Sequence, residues 1–261
     1  MTVIPPFDGV IRQHQQDEHI AWAMLPCACP QNHAANLLPL DDGSLMCVWF
    51  GGSREGKADI SIWGSRLAPG SDRWSEAVKL SDDPDRSEQN PVLFQAPDNV
   101  LWLLWTAQFA GKPGYRHCAL PPLHDGGRSW GAIDTLLDQP GTFIRQPISV
   151  MSDGNWLLPV FYCRTEPGEK WVGNNDVSAV KISSDCGKSW RDVAVPESLG
   201  CVHMCITPLP DGRLAAFFRS RWADHIWFSQ SSDQGERAGL RRYRRRFRTT
   251  TRPFRRPPGQ W

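Results

Sequence analysis

Ser183-Ser184-Asp185-Cys186-Gly187-Lys188-Ser189-Trp190 decides the fold of this 261-residue chain. Ser183 and Asp185 carry short polar side chains that hydrogen-bond the backbone of their own turn. Gly187 admits a left-handed backbone, and Trp190 opens the next strand with a large ring to bury. One such stretch is only a hairpin turn with an aromatic anchor; its recurrence makes it informative. His124-Asp125-Gly126-Gly127-Arg128-Ser129-Trp130 is a second copy, with Leu123 in the serine's place. Pro69-Gly70-Ser71-Asp72-Arg73-Trp74 is a decayed first copy, and Ser231-Ser232-Asp233-Gln234-Gly235 begins a fourth, with Ala238 where the tryptophan belongs. Trp74, Trp130 and Trp190 stand 56 and 60 residues apart.

A second series has the same period. Asp42-Gly43, Asp98-Asn99, Asp153-Gly154 and Asp211-Gly212 follow one another at 56, 55 and 58 residues, each between apolar runs, which is a strong hairpin signal. One unit therefore contains four antiparallel strands: a first strand, an Asp-Gly turn, a second strand, a long loop, a third strand, the aspartate-containing turn, and a fourth strand beginning at tryptophan. This is the size of a propeller blade. A β-sandwich with regular turns is the alternative, but sandwiches lack a repeating tryptophan-anchored turn. The reading predicts an all-β propeller with Trp74, Trp130 and Trp190 largely buried at equivalent positions.

Composition bounds the rest. There is no charged-then-apolar leader and no apolar run near 18 residues, so the expectation is a cytoplasmic protein, neither exported nor membrane-spanning. The eight cysteines form no matched Cys-x-x-Cys pairs and read as free thiols rather than disulfides or zinc ligands. With no phosphate-cradling glycine loop and no His-Glu-x-x-His, neither metal nor cofactor is expected. Residues 1–29 form a lead-in segment whose Ile20 to Leu25 stretch offers a closing strand. Residues 30–236 hold four repeats. Residues 237–261 contain ten arginines and no lysine or acid, so the overall charge of +1 hides −9 for residues 1–236. The change falls in mid-motif, where the fourth turn should deliver its tryptophan. That reads better as a translational frameshift than as a nucleic-acid-binding arm, and such a tail is expected to be disordered and to pack little.

The Asp-x-Gly-x-x-Trp turn at this spacing resembles the Asp-box (BNR) repeat of sialidases and related six-bladed propeller glycosidases, over roughly residues 30–236. His33-Ala34-Ala35, Trp49 to Gly56, Gln89 to Leu93 and Phe218-Arg219-Ser220 are similar to the bacterial predicted-neuraminidase group. The resemblance implies a sialidase-type propeller with about four of six blades present. It also implies a glycoside hydrolase of exo-α-sialidase type, truncated here, acting on terminal acidic sugars. The alternatives are a non-hydrolytic carbohydrate-binding or lyase-type propeller that uses His33 and His203, and an inactive fragment.

Strand direction places the candidate site. If the first strand of each repeat runs from the top face down to the Asp-Gly turn, first-strand starts and second-to-third-strand loops converge on the top around the axis. The Asp boxes lie on the opposite face and are structural. The first-strand starts are polar in all four repeats: His33, Gln89-Asn90, Arg145-Gln146 and His203. The loops add Arg54, Glu55 and Asp59, then Gln108, then Arg164 and Glu166, then Arg219 and Arg221. Any one of these is compatible with ordinary strand-start polarity or a surface ion pair; their recurrence favours a ligand site. Arginine binds carboxylate through two parallel hydrogen bonds, which fits an anionic sugar. By resemblance, Arg145-Gln146-Pro147 is similar to the sialidase Arg-x-Pro strand start, Arg219 is a second carboxylate ligand, and Asp59 takes the place of the general acid/base, with Glu55 its rival. The resemblance finds no tyrosine nucleophile, because Tyr115 and Tyr162 fall in the wrong repeats and Tyr243 in the tail.

Overall fold

A computed structural model of the chain describes residues 6–27, 29–109, 126–166, 169, 171–233 and 235, together with the backbone of residues 115–120 and 243–244. Among the described residues there is no helix, and none is therefore long and apolar enough to cross a membrane. After a short hairpin, β1 (Arg12–Gln13) and β2 (Ala21–Trp22), the chain builds four antiparallel sheets in sequence order. Blade one is β3 (Gln31–Pro39), β4 (Leu45–Gly52), β5 (Ser61–Leu67) and β6 (Val78–Lys79). Blade two is β7 (Arg86–Gln95), β8 (Leu101–Phe109), β9 (Tyr115–Leu120) and β10 (Asp134–Leu137). Blade three has a broken first strand, β11 (Thr142–Ile144) and β12 (Ser149–Val150), followed by β13 (Trp156–Tyr162), β14 (Val177–Ser183) and β15 (Arg191–Ala194). Blade four is β16 (Cys201–Pro208), β17 (Leu214–Ser220), β18 (Ile226–Ser231) and the two-residue β19 (Tyr243–Arg244).

Both repeating turns close as their residues dictate. In the hairpin that joins the first two strands of each blade, an aspartate accepts from the N–H two residues on: Ser44 to Asp42, Val100 to Asp98, Asn155 to Asp153 and Arg213 to Asp211, at 3.0–3.1 Å. Gly43, Asn99, Gly154 and Gly212 supply the positive φ between them. In the Asp box of blade three, Asp185 accepts from Ser183 Oγ, Ser189 N and Ser189 Oγ, while Gly187 N donates to Ser183 Oγ. Ser231, Asp233 and Gly235 repeat that geometry without a tryptophan. Asp125 of the second box lies outside the described residues. Trp74, Trp130 and Trp190 are half-buried rather than largely buried, a correction with a simple cause. The Trp130 and Trp190 rings pack on the edge of a core and not inside it.

The core lies between the blades. Val48, Phe50, Ile60 and Ile62 of blade one interlock with Leu93, Leu101, Leu103 and Trp105 of blade two. Blade two meets blade three through Val92, Phe94, Leu104, Ile144, Trp156 and Leu158. Blade three meets blade four through Leu157, Val180, Ile182, Met204, Ile206 and Phe218. The second and third strands are therefore buried on both faces, which is why they read as continuous apolar runs and not alternating ones. Buried polar groups stitch the same seams: Asn36 Oδ1 accepts from Leu93 N at 2.9 Å, and Glu88, 1 % exposed, accepts from Ser81 Oγ, Trp105 Nε1 and Asp83 N. The result is an open arc of four propeller blades. Cys27, Cys29, Cys47, Cys163, Cys186, Cys201 and Cys205 are all free thiols. Apart from the backbone pairing of β19 with β18, the expectations for residues 237–261 fall outside the described residues.

Candidate active site at the propeller axis

A repeated backbone defect builds the site. In β3, β7 and β16 the register against the next strand slips after His33, Gln89 and Val202. The residue that follows each of these is left-handed: Ala34, Asn90 and His203 all have φ 54°. In blade three the first strand leaves the ladder between Ile144 and Ser149, and Pro147, which has no N–H to give, lies in the gap. A bulge re-aims side chains that a flat strand would bury in its pleat. Here His33, Gln89, Asn90 and His203, at or just beyond the slip in blades one, two and four, all line one cavity. His33 is thus the counterpart of Val202, and His203 that of Ala34 and Asn90.

The cavity they surround is about 490 Å³ and takes residues from all four blades. His33 and Glu55 come from blade one, Gln89, Asn90 and Gln108 from blade two, Phe143, Arg145, Phe161 and Trp171 from blade three, and His203, Arg219 and Arg221 from blade four. His33 Nδ1 lies 3.4 Å from Glu55 Oε2. Gln89 Nε2 donates to Ser87 Oγ at 2.9 Å. The ring centroid of His203 lies 5.2 Å from that of Phe161. Burial, together with the positive charges of Arg219, Arg221, Arg145 and His33, drives the His203 imidazole down to about 3, so the ring is neutral across the physiological range. Burial alone pulls Arg145 below its ordinary value.

The three arginines differ. Arg221 is committed: its Nε donates to Asp176 Oδ2 at 2.8 Å, and its Nη2 bonds the same oxygen. Its guanidinium lies between the Phe161 and Trp171 rings, with centroids 5.4 and 5.0 Å away. The side chains of Arg145 and Arg219 make no ion pair or hydrogen bond with any described residue. Arg145 is half-buried and Arg219 exposed, and a guanidinium at a cavity without a counter-ion favours an anion brought from outside.

Of the residues expected from sequence, His33, Glu55, Gln89, Asn90, Gln108, Arg145, His203, Arg219 and Arg221 line this cavity, while Arg54, Asp59, Arg164 and Glu166 do not. Asp59 is occupied within its own loop: Ser53 Oγ donates to Oδ1 at 2.9 Å and Ser53 N to Oδ2 at 3.0 Å. The Ser53 hydroxyl bond holds its carboxyl below the usual value. Arg54 is exposed and closes the same loop through its carbonyl, which accepts from Lys57 N. Asp176 and the aromatic walls Phe143, Phe161 and Trp171 were missed. A signal for Asp176 existed. Asp59, Asp176 and Asp224 each fall one or two residues before the third strand of their blade. Asp59 and Asp176 both accept the N–H of a residue just beyond the second strand, Ser53 or Arg164.

The sequence matches the family described as a BNR repeat-like domain over residues 43–238. No curated protein matches it. Among solved structures, the chain is similar to the Hadza microbial sialidase Hz136, at 13 % identity and a TM-score of 0.64, over 82 % of this chain and 47 % of that one. It is also similar to a protein of unknown function from Dyadobacter fermentans, at 17 % identity and a TM-score of 0.64, over 88 % and 70 % respectively. The sialidase of Trypanosoma rangeli in complex with sialic acid matches at 13 % identity and a TM-score of 0.60, over 89 % of this chain and 40 % of that one. At these identities the likeness concerns the fold. The chain spans about half the length of the Hadza enzyme.

Proposed function

Because this chain belongs to the BNR repeat-like domain family, we propose that its axial cavity takes the terminal acidic residue of a carbohydrate chain and that its chemistry is glycoside hydrolysis of the exo-α-sialidase type. The observation that carries this reading is the pair Arg145 and Arg219, both lining the cavity and both without a counter-ion among the described residues. A sugar carboxylate supplies that counter-ion in bidentate geometry. His203, kept neutral first by burial and then by the neighbouring arginines, adds no competing charge. Gln89, Asn90 and Gln108 offer donors and acceptors to ring hydroxyls, and Phe143 and Phe161 give the apolar wall that sugar faces pack on. For proton transfer the reading uses Glu55, because it lines the cavity and contacts His33, whereas both Asp59 oxygens are held by Ser53. An acid beside the leaving oxygen supplies the proton that departure requires.

A second reading, a non-hydrolytic or lyase-type site, is favoured by one observation. Tyr162 donates its hydroxyl to Asp192 at 2.6 Å and does not line the cavity, while the neutral His203 faces it. Incubation with sialosides and with uronic-acid oligosaccharides, followed by mass spectrometry, separates the two. Release of the free terminal acid supports hydrolysis, an unsaturated product supports elimination, and binding without a product supports a lectin-like role. If no acidic saccharide binds, the proposal falls.

A further inference from the structure

We infer that Asp176 is a positioning residue that withdraws Arg221 from carboxylate recognition, so that Arg145 and Arg219 hold the acid while Arg221 reads an uncharged oxygen of the same ligand. The inference rests on the acidic-sugar reading for the identity of the ligand, but the lock itself rests on geometry alone. Asp176 is fully buried, and its two oxygens take four donors. Oδ2 accepts both Nε and Nη2 of Arg221, while Oδ1 accepts Trp171 Nε1 at 3.0 Å and Arg164 N at 3.2 Å. The carboxylate has no lone pair left to exchange, and the Nε edge of Arg221, which a ligand carboxylate would use, is already taken.

The surroundings are shaped for this one arginine conformation. Phe161 and Trp171 flank the guanidinium. Gly173, at φ +83°, passes so close that an added Cβ would stand 3.0 Å from Arg221 Nε and 3.2 Å from Cδ, so a side chain there would crowd the arginine in this conformation. The ion pair also ties blade three to blade four, with Gly200 N donating to Asp176 O at 2.7 Å and Arg221 N to Gly200 O at 2.9 Å. Asp176 sets a compensating charge against Arg221 at hydrogen-bond distance, whereas Arg145 and Arg219 have none among the described residues. What Arg221 still offers the cavity is Nη1, a donor suited to a hydroxyl or an acetamido carbonyl. Arg145 and Arg219 keep their full charge. Two arginines for one charge and a third, already paired one for an uncharged group amount to a division of the pocket that three arginines alone would not predict.

The test compares free sialic acid with its methyl ester, which keeps every group except the carboxylate charge. In the wild-type chain the acid should bind roughly ten- to hundred-fold tighter than the ester, as loss of a charge-assisted pair implies. Arg145→Met and Arg219→Met should bring that ratio close to one. Arg221→Met should weaken acid and ester alike and leave the ratio in place, and Asp176→Asn should raise the ratio by freeing a third positive charge. Collapse of the ratio in Arg221→Met, as in Arg145→Met, would overturn the inference. A second measurement needs no ligand and no altered protein. In arginine Nε–Hε NMR spectra Arg221 should show a slowly exchanging proton while Arg145 and Arg219 exchange freely; a freely exchanging Arg221 overturns the lock. A protected Arg221 in a chain that binds no sialic acid retires the sugar reading and supports the lock.

Discussion

His203 of blade four and Asn90 of blade two occupy the same bulge, one residue beyond the register slip of the first strand, and share one left-handed φ of 54°. Asparagine visits that region readily and histidine somewhat less so. The exchange His203→Asn therefore keeps the backbone while removing the titrating ring. The folded ring holds near 3 against an ordinary value of 6.5, so the unfolded chain binds the proton more readily. Stability is full above about pH 6.5 and is lost as the pH falls through that window toward 3, by an amount on the order of a few kcal/mol. Urea midpoints at pH 7 and pH 4 should therefore draw closer together in His203→Asn than in the wild type. An unchanged gap would mean that His203 is not the source of the acid sensitivity.

The turn glycines separate strain from collision. Gly154 sits at φ +86° with open space around it, whereas Gly187 sits at φ +84° with an added Cβ only 3.1 Å from the Trp156 ring. Gly154→Ala should cost about 1–2 kcal/mol, the penalty of a left-handed Cβ alone. Gly187→Ala should cost about 1 kcal/mol more, because Trp156 is buried at a blade seam and has nowhere to move. Equal costs would show that the Asp box adjusts freely and that its glycine is there for backbone angle only.

How far the sequence could be read follows from what repeats. The Asp42, Asp98, Asp153 and Asp211 turns and the Asp185 box were legible because each is closed by short-range bonds among residues that name themselves. The polar starts of the first strands were legible for the same reason, four times over. The bulge was not, because Ala34, Asn90 and His203 have no common chemistry and share only a backbone angle. An aspartate in a polar loop looks the same in sequence whether it faces a cavity or, as Asp59 does, bonds Ser53. Asp176 escaped because its partner Arg221 lies 45 residues away in the next blade, and Trp130 and Trp190 pack on the edge of a core, where propensity to bury says nothing of how deeply.

Blade one and blade two are also joined at the bottom by a side-chain latch. Arg66 Nη1 donates to Gly126 O and Nη2 to Asp42 Oδ2, each at 2.6 Å, and Arg128 Nη2 reaches the same Asp42 oxygen at 3.1 Å. Arg66 thereby bridges a hairpin turn of one repeat and the Asp box of the next. Arg66→Met should lower stability by about 1–2 kcal/mol, and a double-mutant cycle with Asp42→Asn should return a coupling well above zero. Independent, additive losses would reduce the latch to two unrelated surface contacts.

The last expectation concerns which acid moves the proton. Asp59 keeps its charge because the Ser53 hydroxyl and N–H stabilise the ionised form, and a group held ionised is a poor proton donor at neutral pH. Glu55 lines the cavity, with its Oε2 3.4 Å from His33 Nδ1. On a saccharide that the wild-type chain hydrolyses, Glu55→Gln should lower turnover by roughly 10²–10⁴-fold, the range of general acid catalysis, with little change in ligand affinity. Asp59→Asn should leave turnover within a few-fold and act instead on the loop, speeding hydrogen exchange at the Ser53 amide that now donates to Oδ2. The reverse pattern, with turnover lost in Asp59→Asn and kept in Glu55→Gln, would restore the assignment made from sequence alone. It would also require the 53–59 loop to release Ser53 when substrate enters, which the amide exchange of Ser53 in the bound and free states would report directly.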